Sequence, residues 1–151
     1  MTTAQTARRW RLGRGLVLLA ALTYGVLPAL IDLFTPQHLG NPAWVGHPRF
    51  HLIWQIFLIF YLGLASLWSA WRAKTPADFP LIQRAAGYGL IVLAAFFTAG
   101  GLAIPLGGAF GEPDEVLWGV PFPIVHFSTA GLILLAGYLI CRGARSEGQA
   151  A

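Results

Sequence analysis

The sequence has little charge and almost no sulfur. Charged residues make up only 11% of its 151 residues, whereas 56% are hydrophobic; soluble globular chains carry about 25% charged residues. The single cysteine, Cys141, excludes a disulfide within the chain and a cluster of thiolate metal ligands. Long stretches have no charged side chain, or in the first of them only Asp32 near its end, which is typical of a membrane protein.

Four of these stretches are long enough to cross a bilayer core, which takes about 20 apolar residues. Backbone polar groups must find partners inside a bilayer, so each stretch is predicted to be a helix. We therefore expect an all-α fold: an integral membrane four-helix bundle, built as a single four-span domain over residues 1–151. The predicted spans are residues 15–34, 52–71, 85–106 and 124–141.

The basic residues predict the orientation of the bundle. Nine of the ten lysines and arginines lie before the first span, between the second and third, or after the fourth, and only Arg49 lies on the other side. The positive-inside rule then places both termini in the cytoplasm. The basic segment ARRWRLGRG resembles the start of a signal peptide, but no small-residue cleavage site follows, so we expect the first helix to be retained. The bias towards Ala, Gly and Arg favours a bacterial inner membrane, and nucleic-acid binding has no support.

Small residues and turn residues predict how the helices pack and where they end. Small residues four apart let membrane helices approach closely, and some of them are available for contacts in a homo-oligomer. Asp114 is expected to cap a short interfacial helix that Pro121 ends. The small-residue stripes are Ala21, Gly25 and Ala29 on the first span, and Ala95, Ala99 and Ala103 on the third.

Polar and ionisable residues gather at the outer ends of the predicted helices, which come together in an up-down bundle. A few convergent polar groups beside an apolar cavity are the usual arrangement of a small-molecule site. The group holds all four histidines, four of the six acids and one glutamine: His38, His47, His51, His126, Asp32, Glu112, Asp114, Glu115 and Gln55.

The segment NPAWVGHPRFHLIWQ, residues 41–55, is the densest part of this group. His51 and Gln55 are four residues apart and share one helix face. His47 lies four residues before His51, and Pro48 suits the first turn of a helix. If the helix begins at His47, the two histidines form a pair that can bind a metal ion.

Three functions fit this pattern. The first is an enzyme that acts on a lipophilic small molecule, most simply an isomerase or related acid–base catalyst. Its expected catalytic residues are His51, Asp32 and His126, and its expected substrate contacts are Trp44, Trp54, Gln55 and Arg49. The structural alternatives are that Asp32 is an end-of-helix charge, that His47 faces water, and that Arg49 pairs with Asp32 or Glu112.

The second function is a haem- or metal-binding membrane subunit for electron transfer. Its ligands would be His47, His51 and His126, with haem b or a metal ion held through His51. The third function is a lipid- or sterol-binding protein without chemistry. The cofactor stays open, and membrane lipid and a lipophilic substrate are the expected partners.

The order of Asp32, His38, Asn41-Pro42-Ala43-Trp44, His47, Arg49-Phe50-His51 and Trp54-Gln55 resembles the signature of an uncharacterised family of small four-helix membrane proteins. The layout is also similar to the EXPERA superfamily, which holds sterol isomerases and the sigma-2 receptor. That resemblance implies acid–base chemistry or ligand binding around Asp32, Trp44 and the His51–Gln55 turn. His51 or Gln55 stands where that superfamily has an acidic residue.

Arg49-Phe50-His51 is similar to the run that opens the second helix of styrene oxide isomerase, a four-helix membrane enzyme with haem b. That resemblance implies haem ligation by His51. Phe57 stands where that enzyme has an asparagine, and its tyrosine on the third helix has no counterpart here.

Overall fold

The computed structural model describes residues 3–35, 38–43, 45–110 and 116–149. Its first long helix is built from α1, a single π-helical turn over Leu22–Val26, and α2. Short 3-10 turns precede and follow α4, at Pro76–Asp78 and Ile104–Leu106. The α-helices are α1 (Thr3–Ala21), α2 (Leu27–Phe34), α3 (His47–Arg72), α4 (Phe79–Ala103) and α5 (Phe122–Gln149).

In the described part of the chain, four helices are long and apolar enough to cross a membrane, and each contains one predicted span. The chain is therefore a multi-pass membrane protein, and the all-α four-helix prediction is confirmed. Arg9 near the start of α1 pairs with Glu147 near the end of α5, so the start of α1 and the end of α5 lie at one end of the bundle. We call this the proximal end, and the opposite one the distal end. The cytoplasmic placement of the termini stays a prediction.

Small residues set the closest helix contact. A Cβ atom on Gly25 would lie 2.5 Å from the Cα atom of Gly63 on α3, and one on Gly63 would lie 2.8 Å from the Cα atom of Gly25. The two backbones therefore touch, as expected where small residues let membrane helices approach closely. Ala21 and Ala29 of the same stripe are also buried.

A chain of hydrogen bonds joins three helices in the core. The hydroxyl of Tyr24 donates to Ser66 Oγ at 2.6 Å, and the hydroxyl of Ser66 donates to the carbonyl of Ala85 at 2.9 Å. Tyr24 and Ser66 are fully buried. Buried polar groups need such partners, so this chain fixes the positions of α3 and α4 against the π-helical turn.

Proline 28 explains the π-helical turn. The backbone N–H of Leu27 donates to the carbonyl of Leu22, five residues back, instead of to Thr23, four residues back as in an α-helix. The next residue, Pro28, has no N–H to give. The carbonyl of Thr23 is therefore left without a partner from its own helix.

The segment before α5 differs from the prediction. A short interfacial helix was expected there, but Val116–Leu117 and Val120–Pro121 form a two-stranded antiparallel hairpin, β1 and β2. Its turn residues Trp118 and Gly119 both have positive φ, 54° and 77°. Positive φ at both central positions is the requirement of the tight hairpin turn that favours glycine, so the Trp-Gly step sets the turn between β1 and β2. Asp114 itself lies outside the described residues.

Candidate functional site

A cavity of about 440 Å³ lies in the distal half of the bundle, between α3 and α4. The small side chains of Ala95, Ala99 and Ala103 line it. This second stripe was expected to pack against a helix, but here it leaves open space. Three phenylalanines form more of the wall, with Phe96 stacked on Phe127 at 4.1 Å and 5.4 Å from Phe110 between ring centroids.

The polar groups of the cavity come from two helix ends. Asp32, near the end of α2, lines the cavity together with Trp54 and Gln55 from the start of α3. Asp32 is the only ionisable side chain among the described residues that line it. The rest of the described wall is apolar, so the cavity has one charged region and otherwise suits a lipophilic molecule.

The carboxylate of Asp32 has an imidazole beside it. His38 Nε2 lies 3.5 Å from Asp32 Oδ1, and His38 Nδ1 lies 2.9 Å from the hydroxyl of Thr35. When the Thr35 hydroxyl donates to Nδ1, Nε2 carries the proton and faces the carboxylate. Both side chains are about one-third exposed. This arrangement forms an Asp–His dyad at the cavity.

Sequence reasoning placed His38 in the polar group but assigned it no role. The chain reverses direction after α2, where the backbone N–H of His38 donates to the carbonyl of Thr35 and that of Leu39 to the carbonyl of Asp32. This turn carries His38 back to the helix end. The signal was available in the turn residues that follow Asp32, but the distance across the turn is a tertiary property.

His47 and His51 form a separate pair. The helix does begin at His47, with Gly46 as the N-cap and a proline in the first turn. The two Nε2 atoms lie 2.8 Å apart, and the rings meet edge to face at 4.3 Å between centroids. Both side chains are exposed, and neither is among the described residues that line the cavity.

His126 has a different environment. Its Nε2 lies 2.6 Å from the carbonyl of Thr23, the group that Pro28 leaves without a partner in the first helix. The imidazole donates this hydrogen bond, because a carbonyl can only accept. His126 also lines a second, smaller cavity of about 220 Å³ with Thr23, Phe122 and Thr129.

Arg49 forms a hydrogen bond to the loop between α2 and α3. Its Nη2 donates to the carbonyl of Asn41 at 3.1 Å, and it is not among the described residues that line the cavity. The side chain of Asn41 accepts from the backbone N–H of Ala43 at 2.9 Å. Arg49 thus links the loop to the first turn of α3. The other residues of the expected site, Trp44, Glu112, Asp114 and Glu115, lie outside the described residues.

The expected polar rim is therefore divided into three clusters in the described part of the chain. Asp32 belongs to the cavity, His51 to the exposed histidine pair, and His126 to the bond with Thr23. No group of three or more His, Cys, Asp or Glu side chains with metal-ligand geometry occurs among the described residues. The roles predicted for His51 and His126 in catalysis or haem ligation stay predictions. In this arrangement His51 Nε2 faces His47 rather than the cavity.

Comparisons with protein-family models, with curated proteins and with solved structures give no match to this chain.

Proposed function

We propose that the protein binds a lipophilic small molecule in the cavity between α3 and α4 and acts on it as an isomerase or related acid–base catalyst. The observation that carries this proposal is the Asp32–His38 dyad at a cavity that is otherwise apolar in its described part. The volume of about 440 Å³ lies within the range of about 300–1,000 Å³ typical of small-molecule sites.

Asp32 is the proton carrier in this proposal. An isomerisation that shifts a double bond removes one proton from carbon and returns one to another carbon, so atoms and electrons balance without a co-reactant. A carboxylate in an apolar site can take the first proton and give it back at the second position. His38, 3.5 Å away and held by Thr35, orients the carboxylate and stabilises its charged form.

Two further residues fit the binding of the substrate. Gln55 lines the same cavity as Asp32, where its amide can donate to a substrate oxygen. Trp54 lines the same region and is 56% exposed. Its ring can cover the substrate and stabilise developing positive charge by cation–π attraction.

The proposal is tested with a β,γ-unsaturated steroid ketone as the probe, whose conversion to the conjugated isomer is followed by ultraviolet absorbance. Asp32→Asn keeps the size of the side chain and removes the base, so the rate should fall by about 100- to 10,000-fold. Asp78→Asn is the matched control at the proximal end and should leave the rate unchanged. Repeating the reaction in D₂O shows whether the migrating proton exchanges with solvent.

His51→Ala separates this assignment from the one made on the sequence. If His51→Ala abolishes turnover while Asp32→Asn retains it, the dyad is not the catalytic group. If the wild-type protein binds the probe without isomerising it or exchanging its protons, acid–base catalysis on this class of compound is excluded.

Binding without chemistry is the second candidate function, and the apolar composition of the described wall favours it. Ala95→Trp should fill the cavity and abolish binding of the steroid probe. Its neighbour Ala94 is exposed and is not among the described residues that line the cavity, so Ala94→Trp is the matched control. Under this second function, binding survives Asp32→Asn.

A further inference from the structure

The exposed pair of histidines at the start of α3 has no part in the proposed function. His47 and His51 stand one helical turn apart on the same face, as their spacing of four residues requires. Their Nε2 atoms are 2.8 Å apart and outside the described lining of the cavity. Two strong metal-ligating nitrogens therefore converge on one point at the surface of the distal end.

The backbone conformation at the start of α3 positions His47 and His51 as a pair. Gly46 is the N-cap of α3 with φ of 61° and ψ of −127°, a conformation that side chains with a Cβ atom rarely adopt. It lets the chain turn directly into the helix so that His47 is the first helical residue. A helix that began one turn later would leave His47 in the loop, away from the face that carries His51.

The separation of the two nitrogens favours a particular coordination geometry. With metal–nitrogen bonds of about 2.0 Å, nitrogens at this separation subtend an angle of about 90° at the metal. A tetrahedral site needs the nitrogens about 3.3 Å apart. Right-angled positions belong to square-planar and tetragonal ions with nitrogen and oxygen ligands, which are Cu²⁺ and Ni²⁺.

The protonation chemistry of the pair allows this binding. In the hydrogen bond between two neutral imidazoles, one Nε2 donates and the other accepts. Metal binding needs both lone pairs, and the donor ring provides its own by moving its proton from Nε2 to Nδ1. No net proton is released, and both lone pairs become available to the metal.

We propose that His47 and His51 form a two-nitrogen chelating site for Cu²⁺ or Ni²⁺ at the distal surface of the bundle. The described residues bring no third His, Cys, Asp or Glu ligand to the pair. Both imidazoles are exposed, so water can fill the remaining positions. The site is independent of the cavity and of the Asp32–His38 dyad.

The test uses the full chain purified in detergent and titrated with Cu²⁺ in competition with a chromophoric chelator. His47→Ala and His51→Ala should each weaken Cu²⁺ binding by at least about tenfold and to a similar extent, because either change turns a chelate into a single ligand. His126→Gln removes a histidine elsewhere in the distal half and should leave the affinity unchanged. The Cu²⁺ electron paramagnetic resonance spectrum should be tetragonal, with splitting from two equivalent nitrogens.

Three results would overturn the proposal. One is a Cu²⁺ affinity that is unchanged in both His47→Ala and His51→Ala, which would place the bound metal elsewhere. Another is a spectrum with splitting from a single nitrogen in the wild-type protein. A loss of affinity in His38→Ala alone would assign the metal to the cavity dyad and also contradict the exposed pair.

Discussion

The hydrogen bond between His126 and the π-helical turn leads to a quantitative prediction. Pro28 deprives the carbonyl of Thr23 of a partner in its own helix, and the Nε2–H of His126 donates to that carbonyl at 2.6 Å. His126→Leu removes the donor and keeps a side chain of comparable bulk. The carbonyl then remains unpaired in an environment where water is scarce.

The expected loss of folding stability in His126→Leu follows from two measured ranges of free energy. Leaving a buried acceptor unsatisfied costs about 1–3 kcal/mol, whereas side-chain hydrogen bonds measured within a membrane protein average about 0.6 and reach about 1.7 kcal/mol. We therefore expect His126→Leu to lower the free energy of unfolding by about 1–2 kcal/mol. His126→Gln retains an N–H donor and should recover part of this loss.

The decisive assay is a double-mutant cycle with Pro28→Ala, measured by reversible unfolding in mixed detergent micelles with tryptophan fluorescence as the signal. In Pro28→Ala the helix can return to α-helical pairing, in which the N–H of Leu27 donates to the carbonyl of Thr23. His126→Leu should then cost almost nothing, giving a coupling energy of about 1–2 kcal/mol. An equal loss in both backgrounds would refute the assigned role of His126, as would a His126→Leu protein as stable as the wild type.

Two further predictions concern the packing of the bundle, and the same unfolding measurement checks both. Gly25→Ala must push the helices apart by about 0.9 Å, from the 2.5 Å between its new Cβ atom and Gly63 to the 3.4 Å of ordinary contact, and should cost about 1–3 kcal/mol. The matched change Gly15→Ala meets nothing within 4 Å and should be neutral or stabilise the helix by up to about 1 kcal/mol; equal effects of the two changes would contradict the tight contact. Tyr24→Phe removes the hydroxyl that donates to Ser66 and should cost about 0.5–1.5 kcal/mol, and an unchanged stability would show that this bond contributes nothing.

The sequence predicted some of the contacts that the candidate residues make and did not predict others. The pairing of His47 and His51 could be predicted because an i,i+4 spacing is a local property of one helix. The two side chains form the pair that this spacing implies. The hydrogen-bond partner of His126 could not be predicted from the sequence. It is the carbonyl of Thr23, 103 residues away along the chain, and a backbone carbonyl leaves no mark in a sequence pattern.

The same distinction applies to the candidate site. Asp32 was predicted as a catalytic residue and Trp54 and Gln55 as substrate contacts, and all three line the cavity. The turn residues after Asp32 indicated a reversal of the chain, but the contact of His38 with Asp32 depends on the path of that turn, which the sequence pattern does not give. The stripe of Ala95, Ala99 and Ala103 was expected to pack closely against a helix, but small side chains also permit the open space that they line here.

The sequence by itself determined that the chain forms four membrane-spanning helices and that its ionisable residues gather at their ends. Apolar run length decides the first, because a bilayer accepts only helices with paired backbones. The cost of placing charge among lipids decides the second. Only the tertiary structure decided how those end residues divide among the cavity, the exposed histidine pair and the π-helical turn. Helix rotation and the close Gly25–Gly63 contact set that division, and both depend on side chains packing across the bundle rather than along the chain.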